Sequence, residues 1–294
     1  EELLKILLEY GQDFDINLRT CNLKGTEKND RKESALHIAA RLGGEKIVSL
    51  LLEHGALVNQ AMKEGKTPLL LAIENNHCNT AKILLQSDGI NLTYYDLWGY
   101  GPLHYLVKAN KDPDLAQELL NKGADIHHRS MDNETPIILL YDQMLKKESH
   151  RNDGTAKLLI VLLKNGANIN DKYQNTVYNR HAPDYPHKLE SGGLCCAIHH
   201  PDVEVLKIVL QNGVNTENMS REPSVLASDA AKLGHHQHLA ILMERWEISP
   251  GDCASKLHVV TNKRERNTDA LKTLMVLLSY GADIDVELKN SLFN

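Results

Sequence analysis

The amino-acid sequence predicts an all-α solenoid of about seven helix-turn-helix units with irregular loop insertions. Two short landmarks recur along the 294 residues with nearly the same period. Between the landmarks the apolar residues follow helical spacing, and no strand-length run of alternating apolar and polar residues competes with that pattern. Such a chain is expected to form a single array in which each unit contacts only its neighbours.

The first landmark is a glycine that follows each run of apolar residues. Successive copies are separated by 34, 34, 43, 47 and 68 residues, and the last spacing is twice 34. Glycine readily adopts the left-handed conformation that ends many helices, so the landmark predicts the end of the second helix of a unit. The copies are Gly55, Gly89, Gly123, Gly166, Gly213 and Gly281.

The second landmark lies earlier in the unit and predicts the start of the first helix. It is a tetrapeptide whose copies are separated by 33, 34 and 34 residues. Thr67 and Thr135 can cap the exposed amides of a helix, and Pro68 and Pro136 suit its first position because no N–H is needed there. The copies begin at Ser34, Thr67, Gly101 and Thr135.

These landmarks carry a resemblance to the ankyrin-repeat family. Its unit has about 33 residues, a turn and two antiparallel helices, with Thr-Pro-Leu-His-x-Ala near the start. The run from Ser34 to Gly43 reads Ser-Ala-Leu-His-Ile-Ala-Ala-Arg-Leu-Gly and matches that pattern nearly position for position. The resemblance covers almost the whole chain, and it implies that the motif histidines His37, His104 and His258 make hydrogen bonds between units.

Register divides the single array of residues 1–294 into successive units. Because the chain opens on what reads as a second helix, we expect it to be a fragment of a longer protein. The divisions are a partial unit at 1–17, units near 18–59, 60–91, 92–127, 128–170, 171–218, 219–250 and 251–285, and the start of a further element at 286–294.

Four long insertions interrupt the array at loop positions, where a stack can continue past them. Long loops in a compact array are either functional or disordered. The resemblance implies that the first and third insertions flank the concave face, while the second and fourth lie on the other edge. The insertions span residues 18–33, 142–155, 173–191 and 261–268.

Composition excludes several classes of protein. The formal charge of −6 argues against nucleic-acid binding, which needs a basic surface to replace counterions. No apolar run approaches the roughly 20 residues that cross a bilayer, so membrane insertion is not expected. Five cysteines without framework spacing indicate a reducing compartment, and we expect a cytoplasmic monomer without a cofactor.

Two clusters offer an alternative in which the chain carries chemistry. The histidines at 235, 236 and 238, taken with those at 199 and 200, have a density that could ligate zinc. Cys195 or Cys196 with His199 forms a formal nucleophile-base pair. His235 stands at the Gly-His position of the resembling family, and the cysteines fall on first-helix positions, so we interpret both clusters as structural. We therefore expect no metal site, no catalytic residue and no enzyme activity.

The predicted binding surface is centred on Trp98, in a chain with only two tryptophans and two phenylalanines. The resemblance implies that the variable turn positions and the residue after the motif histidine face the partner, which gives an apolar centre with a charged rim. Trp98 could instead fold back over the stack, and we expect Tyr94 and Tyr95 to be packing residues. The predicted partner-binding residues are Lys63, Glu64, Lys66, Leu97, Trp98, Tyr100, Tyr105, Met131, Asp132 and Glu134.

We expect the chain to act as a protein-protein interaction module, a scaffold that binds another protein through its concave face and turn tips. The alternative is a targeting or substrate-recruiting region of a larger multidomain enzyme or bacterial effector whose catalytic domain lies outside the chain. Irregular repeats with long insertions resemble the ankyrin proteins that intracellular bacteria secrete into host cells. That resemblance implies the host cytoplasm as the location.

Overall fold

The computed structural model describes residues 15–19, 32–109, 112–145, 154–171, 192–214, 222–248 and 268–281. These residues contain thirteen α-helices and no β-strand, which confirms the predicted all-α class. The helices are α1 (Ala35–Leu42), α2 (Glu45–Glu53), α3 (Pro68–Glu74), α4 (Cys78–Gln86), α5 (Pro102–Ala109), α6 (Pro113–Asn121), α7 (Pro136–Leu145), α8 (Gly154–Lys164), α9 (Gly193–His199), α10 (Val203–Gln211), α11 (Pro223–Lys232), α12 (His236–Trp246) and α13 (Thr268–Ser279).

The chain forms two compact units. The first unit contains α1 to α6, α8 and most of α7, and the second contains α9 to α13. Within the first unit the helices pack in two layers, because α1, α3 and α5 contact one another in order, as do α2, α4, α6 and α8. Within the second unit α9 packs on α11, and α10, α12 and α13 contact one another in order.

Several predicted features lie outside the described residues. These are most of each insertion, the motif histidine His258 and the segment 286–294. The described ends of the second insertion are helical, since α7 continues to Leu145 and α8 begins at Gly154. In the described part of the chain, no helix combines the length and the apolar character that a bilayer crossing requires.

The first helices begin at the predicted capping residues. The Ser34 hydroxyl accepts from the His37 N–H, and the His37 ring accepts from the Ser34 N–H at 3.1 Å, so the two residues form a capping box. The Thr67 hydroxyl accepts from the Leu70 N–H at 3.4 Å. Helices α3 and α7 start at the predicted prolines, Pro68 and Pro136. The predicted cap at Thr67 and the predicted helix starts at Pro68 and Pro136 are therefore confirmed.

The predicted glycines follow the second helices in the left-handed conformation, with φ values from 73° to 91°. The pattern changes once, at the end of α12. There Glu247 adopts φ 49°, and the Ile248 N–H donates to the Met243 carbonyl at 3.3 Å. A non-glycine residue thus ends this helix, in the place where the glycine landmark is missing from the sequence.

Small residues let the first helices of neighbouring repeats approach closely. Ala40 on α1 and Ala72 on α3 are fully buried, and α1 and α3 are in direct contact. Leu36 and Leu70, on the same two helices, are also buried and are at most 1% exposed. Close packing of this kind leaves little room for added volume, so the alanines fix the spacing of the repeats.

His104 links one repeat to the next. Its Nε2 donates to the Glu134 carbonyl at 2.9 Å, and its Nδ1 accepts from the Gly101 N–H at 3.3 Å. The side chain is 1% exposed, and burial lowers its pKa from 6.5 to about 4. His104 is therefore neutral at pH 7, and the expected hydrogen bond between units is confirmed at this residue.

The depressed pKa of His104 predicts an acid-sensitive contribution to stability. Between pH 6.5 and pH 4 the unfolded chain binds a proton at this side chain and the folded chain does not, so stability falls as the pH falls. A drop from pH 7 to pH 5 should remove about 2 kcal/mol through His104. Urea unfolding of wild type and His104→Gln at both pH values checks this, because the variant should lose that much less. Equal losses in the two proteins would contradict the assignment.

Candidate protein-binding surface

Three successive turns of the first unit share one backbone structure. They span residues 62–66, 96–100 and 130–134. One residue separates each turn from the first helix that follows it. In each turn the first residue's N–H donates to the carbonyl of the fifth, at 2.9, 3.1 and 3.0 Å. The fourth residue's N–H donates back to the carbonyl of the first, at 2.9 Å in all three. Residues 34 apart are therefore structurally equivalent.

The fourth residue of each turn adopts the left-handed conformation. The φ values are 80° at Gly65, 77° at Gly99 and 61° at Asn133. A Cβ at Gly99 would also lie 3.1 Å from the Met131 backbone nitrogen and 3.2 Å from the Ser130 Cα. At Gly99 the left-handed conformation favours glycine, and the close approach of the next turn leaves no room for a Cβ.

Backbone hydrogen bonds join the three turns. The Leu97 N–H donates to the Glu64 carbonyl at 3.1 Å, and the Met131 N–H donates to the Trp98 carbonyl at 2.9 Å. We call the three joined turns, residues 62–66, 96–100 and 130–134, the turn ladder. The second residue of each turn belongs to what we call the first row. The third residue of each turn belongs to the second row. The first row is Lys63, Leu97 and Met131, and the second row is Glu64, Trp98 and Asp132.

The buried carboxylate of Asp96 organises the middle turn. One carboxylate oxygen accepts from the Trp98 N–H at 3.0 Å and from the Tyr100 N–H at 2.7 Å. The other oxygen accepts from the Tyr105 hydroxyl at 2.6 Å. Asp96 is 6% exposed, so its carboxylate loses most of its water on folding. The three donors take the place of that water. Burial and the hydrogen bond to Asp96 raise the pKa of the Tyr105 hydroxyl.

Tyr100 connects the middle turn to the third. Its hydroxyl donates to the Glu134 carboxylate at 3.1 Å, and the Lys108 ammonium lies 3.9 Å from the centre of its ring. The Asp132 carboxylate lies 3.5 Å from the same hydroxyl. A carboxylate thus binds the Tyr100 hydroxyl and an ammonium lies over its ring. These two interactions hold the side chain in place.

Lys66 plays a similar part in the first turn. Its ammonium lies 2.7 Å from a Glu74 carboxylate oxygen, 3.7 Å from a Glu64 carboxylate oxygen and 5.6 Å from the centre of the Tyr105 ring. The Lys66 side chain is 12% exposed. The Lys66 ammonium is therefore held by the Glu64 carboxylate of its own turn and by the Glu74 carboxylate of α3.

The structure separates the ten predicted partner-binding residues by exposure. Leu97, Trp98 and Met131 are 58%, 50% and 75% exposed, and Lys63 is also exposed. Tyr105 and Glu134 are each 6% exposed and bind other side chains, so they lie beneath the surface. The remaining four are half-buried: Glu64, Lys66, Tyr100 and Asp132.

The burial of Tyr105 is common to its structural position. The equivalent residues Leu71 and Leu139 are 3% and 7% exposed. The turn side chains of Asp96 and Lys66 contact Tyr105, so the turns cover the residue that follows the motif histidine. The exposed apolar residues among the predicted binding residues are therefore those at the turn tips. We call these residues, Leu97, Trp98 and Met131, the apolar patch.

Comparison with known families identifies the repeats. A model of three ankyrin repeats matches residues 1–96, and a model of one ankyrin repeat matches residues 98–131. Residues 1–96 and 98–131 are therefore ankyrin repeats. Ankyrin repeats are generally protein-interaction modules. The turn ladder lies largely within the matched ankyrin repeats, and helix pairs continue beyond them at α7 and α8, α9 and α10, and α11 and α12.

Curated relatives share part of the ankyrin array. The chain is 31% identical to the B-cell lymphoma 3 protein homolog of Mus musculus over 137 residues, which are 46% of this chain and 29% of that protein. It is 38% identical to a putative ankyrin repeat protein of fowlpox virus over 101 residues, 34% of this chain and 29% of that protein. It is 33% identical to Rabankyrin-5 of Mus musculus over 122 residues, 38% of this chain and 10% of that protein. The chain thus spans less than a third of each of these proteins.

Sequence reasoning missed Asp96 and His128 as parts of the ankyrin turn surface. Tyr95 stacks on His128 with ring centres 3.6 Å apart, and His128 Nε2 lies 3.0 Å from the Gly99 carbonyl. The expected packing role of Tyr95 is confirmed. An aspartate that opens a turn is a recognised signal, because its carboxylate accepts from amides two residues onward. Asp96 is the first residue of the turn 96–100 and so carries this signal.

The two clusters considered for chemistry are made of ordinary packing contacts. Cys195 and Cys196 are 9% and 0% exposed, as expected for small core residues. The Cys195 sulfur lies 3.9 Å from His199 Nδ1, which is itself 2.9 Å from the Cys195 carbonyl. His235 Nδ1 lies 2.9 Å from the Ile198 carbonyl. Among the described residues, no group of three or more His, Cys, Asp or Glu is arranged to hold a metal ion.

Removing the Asp96 carboxylate should destabilise the ankyrin turns. Asp96→Ala leaves two turn amides and a buried phenol without their acceptor, so we expect a loss of about 3 kcal/mol in the free energy of unfolding. Tyr105→Phe removes one of the three donors and should cost about 1 kcal/mol. Urea unfolding followed by circular dichroism measures both losses. An Asp96→Ala variant no less stable than Tyr105→Phe would show that the amides do not depend on Asp96.

Proposed function

We propose that this chain is a protein-interaction module that binds a protein partner through the turn ladder and the adjoining concave face, with the apolar patch at the centre of the interface. The observation that carries the proposal is the exposure of Trp98, Leu97 and Met131 together on two adjacent turns. Tryptophan and methionine are enriched in interface cores, and truncation of a tryptophan is a frequent source of large losses in affinity.

Rigidity of the surface supports the same proposal. The Trp98 backbone is held on both sides, by the Asp96 carboxylate at its N–H and by the Met131 N–H at its carbonyl. A side chain on a fixed backbone loses less conformational freedom on binding than one on a mobile loop. The apolar patch is thus preorganised for a partner rather than packed on the core of the chain.

The polar residues divide into a rim and a support. Lys63, Glu64 and Asp132 stand beside the apolar patch and form the rim of the proposed interface. Tyr105 and Glu134 support the patch from below, through Asp96 and Tyr100. In the proposal the rim residues affect specificity and association rate, whereas the supporting residues affect affinity only through the shape of the turns.

Truncation of Trp98 should weaken partner binding with little effect on stability. Because half of the side chain is exposed, Trp98→Ala removes little core packing, while the loss of a central aromatic contact should cost on the order of 2–4 kcal/mol of binding free energy. Immobilised wild type and variant are used side by side to capture partners from a cell lysate. A captured partner is then purified and titrated against both proteins.

Leu42→Ala is the matched control for this experiment. Leu42 is 67% exposed at the end of α1, away from the turn ladder, so its truncation should leave capture and affinity unchanged. Thermal melting of all three proteins separates binding from folding. A large drop in melting temperature for Trp98→Ala together with intact capture would assign Trp98 to structure and reject the proposal.

A further inference from the structure

We infer that Met131 is a site of reversible oxidation, and that conversion of its thioether to the sulfoxide by a peroxide weakens partner binding at the apolar patch. The inference rests on the proposed function, because it concerns the regulation of the same surface. It names a chemical modification and the atom that takes it, the Met131 sulfur. The observations that carry it are the exposure of Met131 and its place beside Trp98 in the turn ladder.

Exposure separates the methionines of the described residues into two groups. Met131 and Met275 are 75% and 69% exposed, whereas Met62, Met144 and Met243 are at most 5% exposed. A peroxide in solution reaches the sulfur of an exposed methionine, but close packing excludes it from a sulfur in the core. Met131 and Met275 are therefore expected to oxidise before the other three.

The turn ladder holds a methionine of each kind. Met62 is the first residue of its turn, and the residues at the same place in the next two turns, Asp96 and Ser130, are also buried. Met131 is the second residue of its turn, a position that is exposed in all three turns. The position within the turn thus places one sulfur inside the protein and the other at the surface.

Backbone atoms hold Met131 beside Trp98. The Met131 N–H donates to the Trp98 carbonyl at 2.9 Å, and a Cβ at Gly99 would lie only 3.1 Å from the Met131 nitrogen. The sulfur takes no part in this hydrogen bond, so its oxidation leaves the bond in place. The sulfoxide is therefore displayed on a turn whose structure is unchanged.

Oxidation transfers one oxygen atom to the Met131 sulfur. A sulfur lone pair attacks one oxygen of hydrogen peroxide or of an organic hydroperoxide, the O–O bond breaks, and the other oxygen leaves as water or as an alcohol. The sulfur is oxidised by two electrons and the peroxide is reduced by two. The product is polar, and reductases that act on its two epimers return it to the thioether, so the modification is reversible.

The sulfoxide changes the chemistry of the apolar patch. Its oxygen accepts hydrogen bonds from water in the free chain, and a partner that covers the apolar patch removes that water without replacing it. Partner affinity should therefore fall by about tenfold. The stability of the free chain should not change, because the Met131 side chain is largely in solvent both before and after oxidation.

The test uses a peptide selected from a random library, displayed on phage, against the immobilised reduced chain. Only peptides that bind the Trp98→Ala variant more weakly than wild type are kept, so each depends on the apolar patch. The chain is treated with dilute hydrogen peroxide and then with a thiol, which reverses reversible cysteine oxidation. Mass spectrometry of proteolytic fragments should show the sulfoxide at Met131 before Met62, Met144 and Met243. Peptide affinity should fall by about tenfold, and methionine sulfoxide reductases should restore it.

Variants separate oxidation of Met131 from other damage, each compared before and after peroxide. Met131→Leu has an apolar side chain of similar size that forms no sulfoxide, so peroxide should not change its affinity. Met131→Gln puts a polar side chain at the same place and should bind about tenfold more weakly than wild type without peroxide. Met275→Leu is the matched control, since Met275 is similarly exposed but belongs to the second unit. Its affinity should respond to peroxide as that of wild type does.

The outcomes separate this inference from the proposed function. A Met131→Leu chain that loses affinity in peroxide, unchanged peptide binding after complete oxidation of Met131, or a sulfoxide that forms at Met62 before Met131 overturns the inference and leaves the interaction surface in place. A large drop in melting temperature on oxidation of Met131 also overturns it, because binding would then be lost through unfolding. A selection in which no peptide depends on Trp98 overturns the proposed function and the inference together.

Discussion

The hydrogen bonds of one buried carboxylate determine the shape of the candidate surface. Asp96 accepts from the amides of Trp98 and Tyr100 and from the hydroxyl of Tyr105, at distances from 2.6 to 3.0 Å. A charge that is 6% exposed is tolerated only when such donors satisfy it. The need to satisfy Asp96 therefore constrains the turn that carries Trp98 and the first residues of the helix beneath it.

Short contacts extend that constraint to the neighbouring repeats. Leu97 and Trp98 hydrogen-bond through their backbones to the turns before and after, and His104 reaches the carbonyl of Glu134 from inside α5. Each of these bonds joins adjacent repeats. In the first unit the surface is thus assembled by nearest-neighbour interactions, as expected for a repeat protein, and no contact between distant repeats is needed to form it.

Much of the fold could be predicted because its signals are local. The capping role of Thr67, the helix start at Pro68 and the left-handed Gly55 depend only on nearby backbone geometry, and all three are confirmed. Register also identified the turn positions of Trp98 and Met131. It could not show that Tyr105 is buried, because that depends on how two neighbouring turns cover it. The role of Asp96 in shaping the surface was missed because its three hydrogen-bond donors come together only in the folded turn.

The turn ladder divides its residues into those that build it and those that are displayed on it. The turns are joined by backbone hydrogen bonds and by the Tyr100 hydroxyl, which donates to Glu134, and the carboxylate that shapes the middle turn stands outside both rows. The four exposed row positions, Lys63, Leu97, Trp98 and Met131, can therefore accept new side chains while the scaffold keeps its geometry. Evolution, or an engineer, can redirect such a surface to another ligand by exchanging a few residues without redesigning the fold.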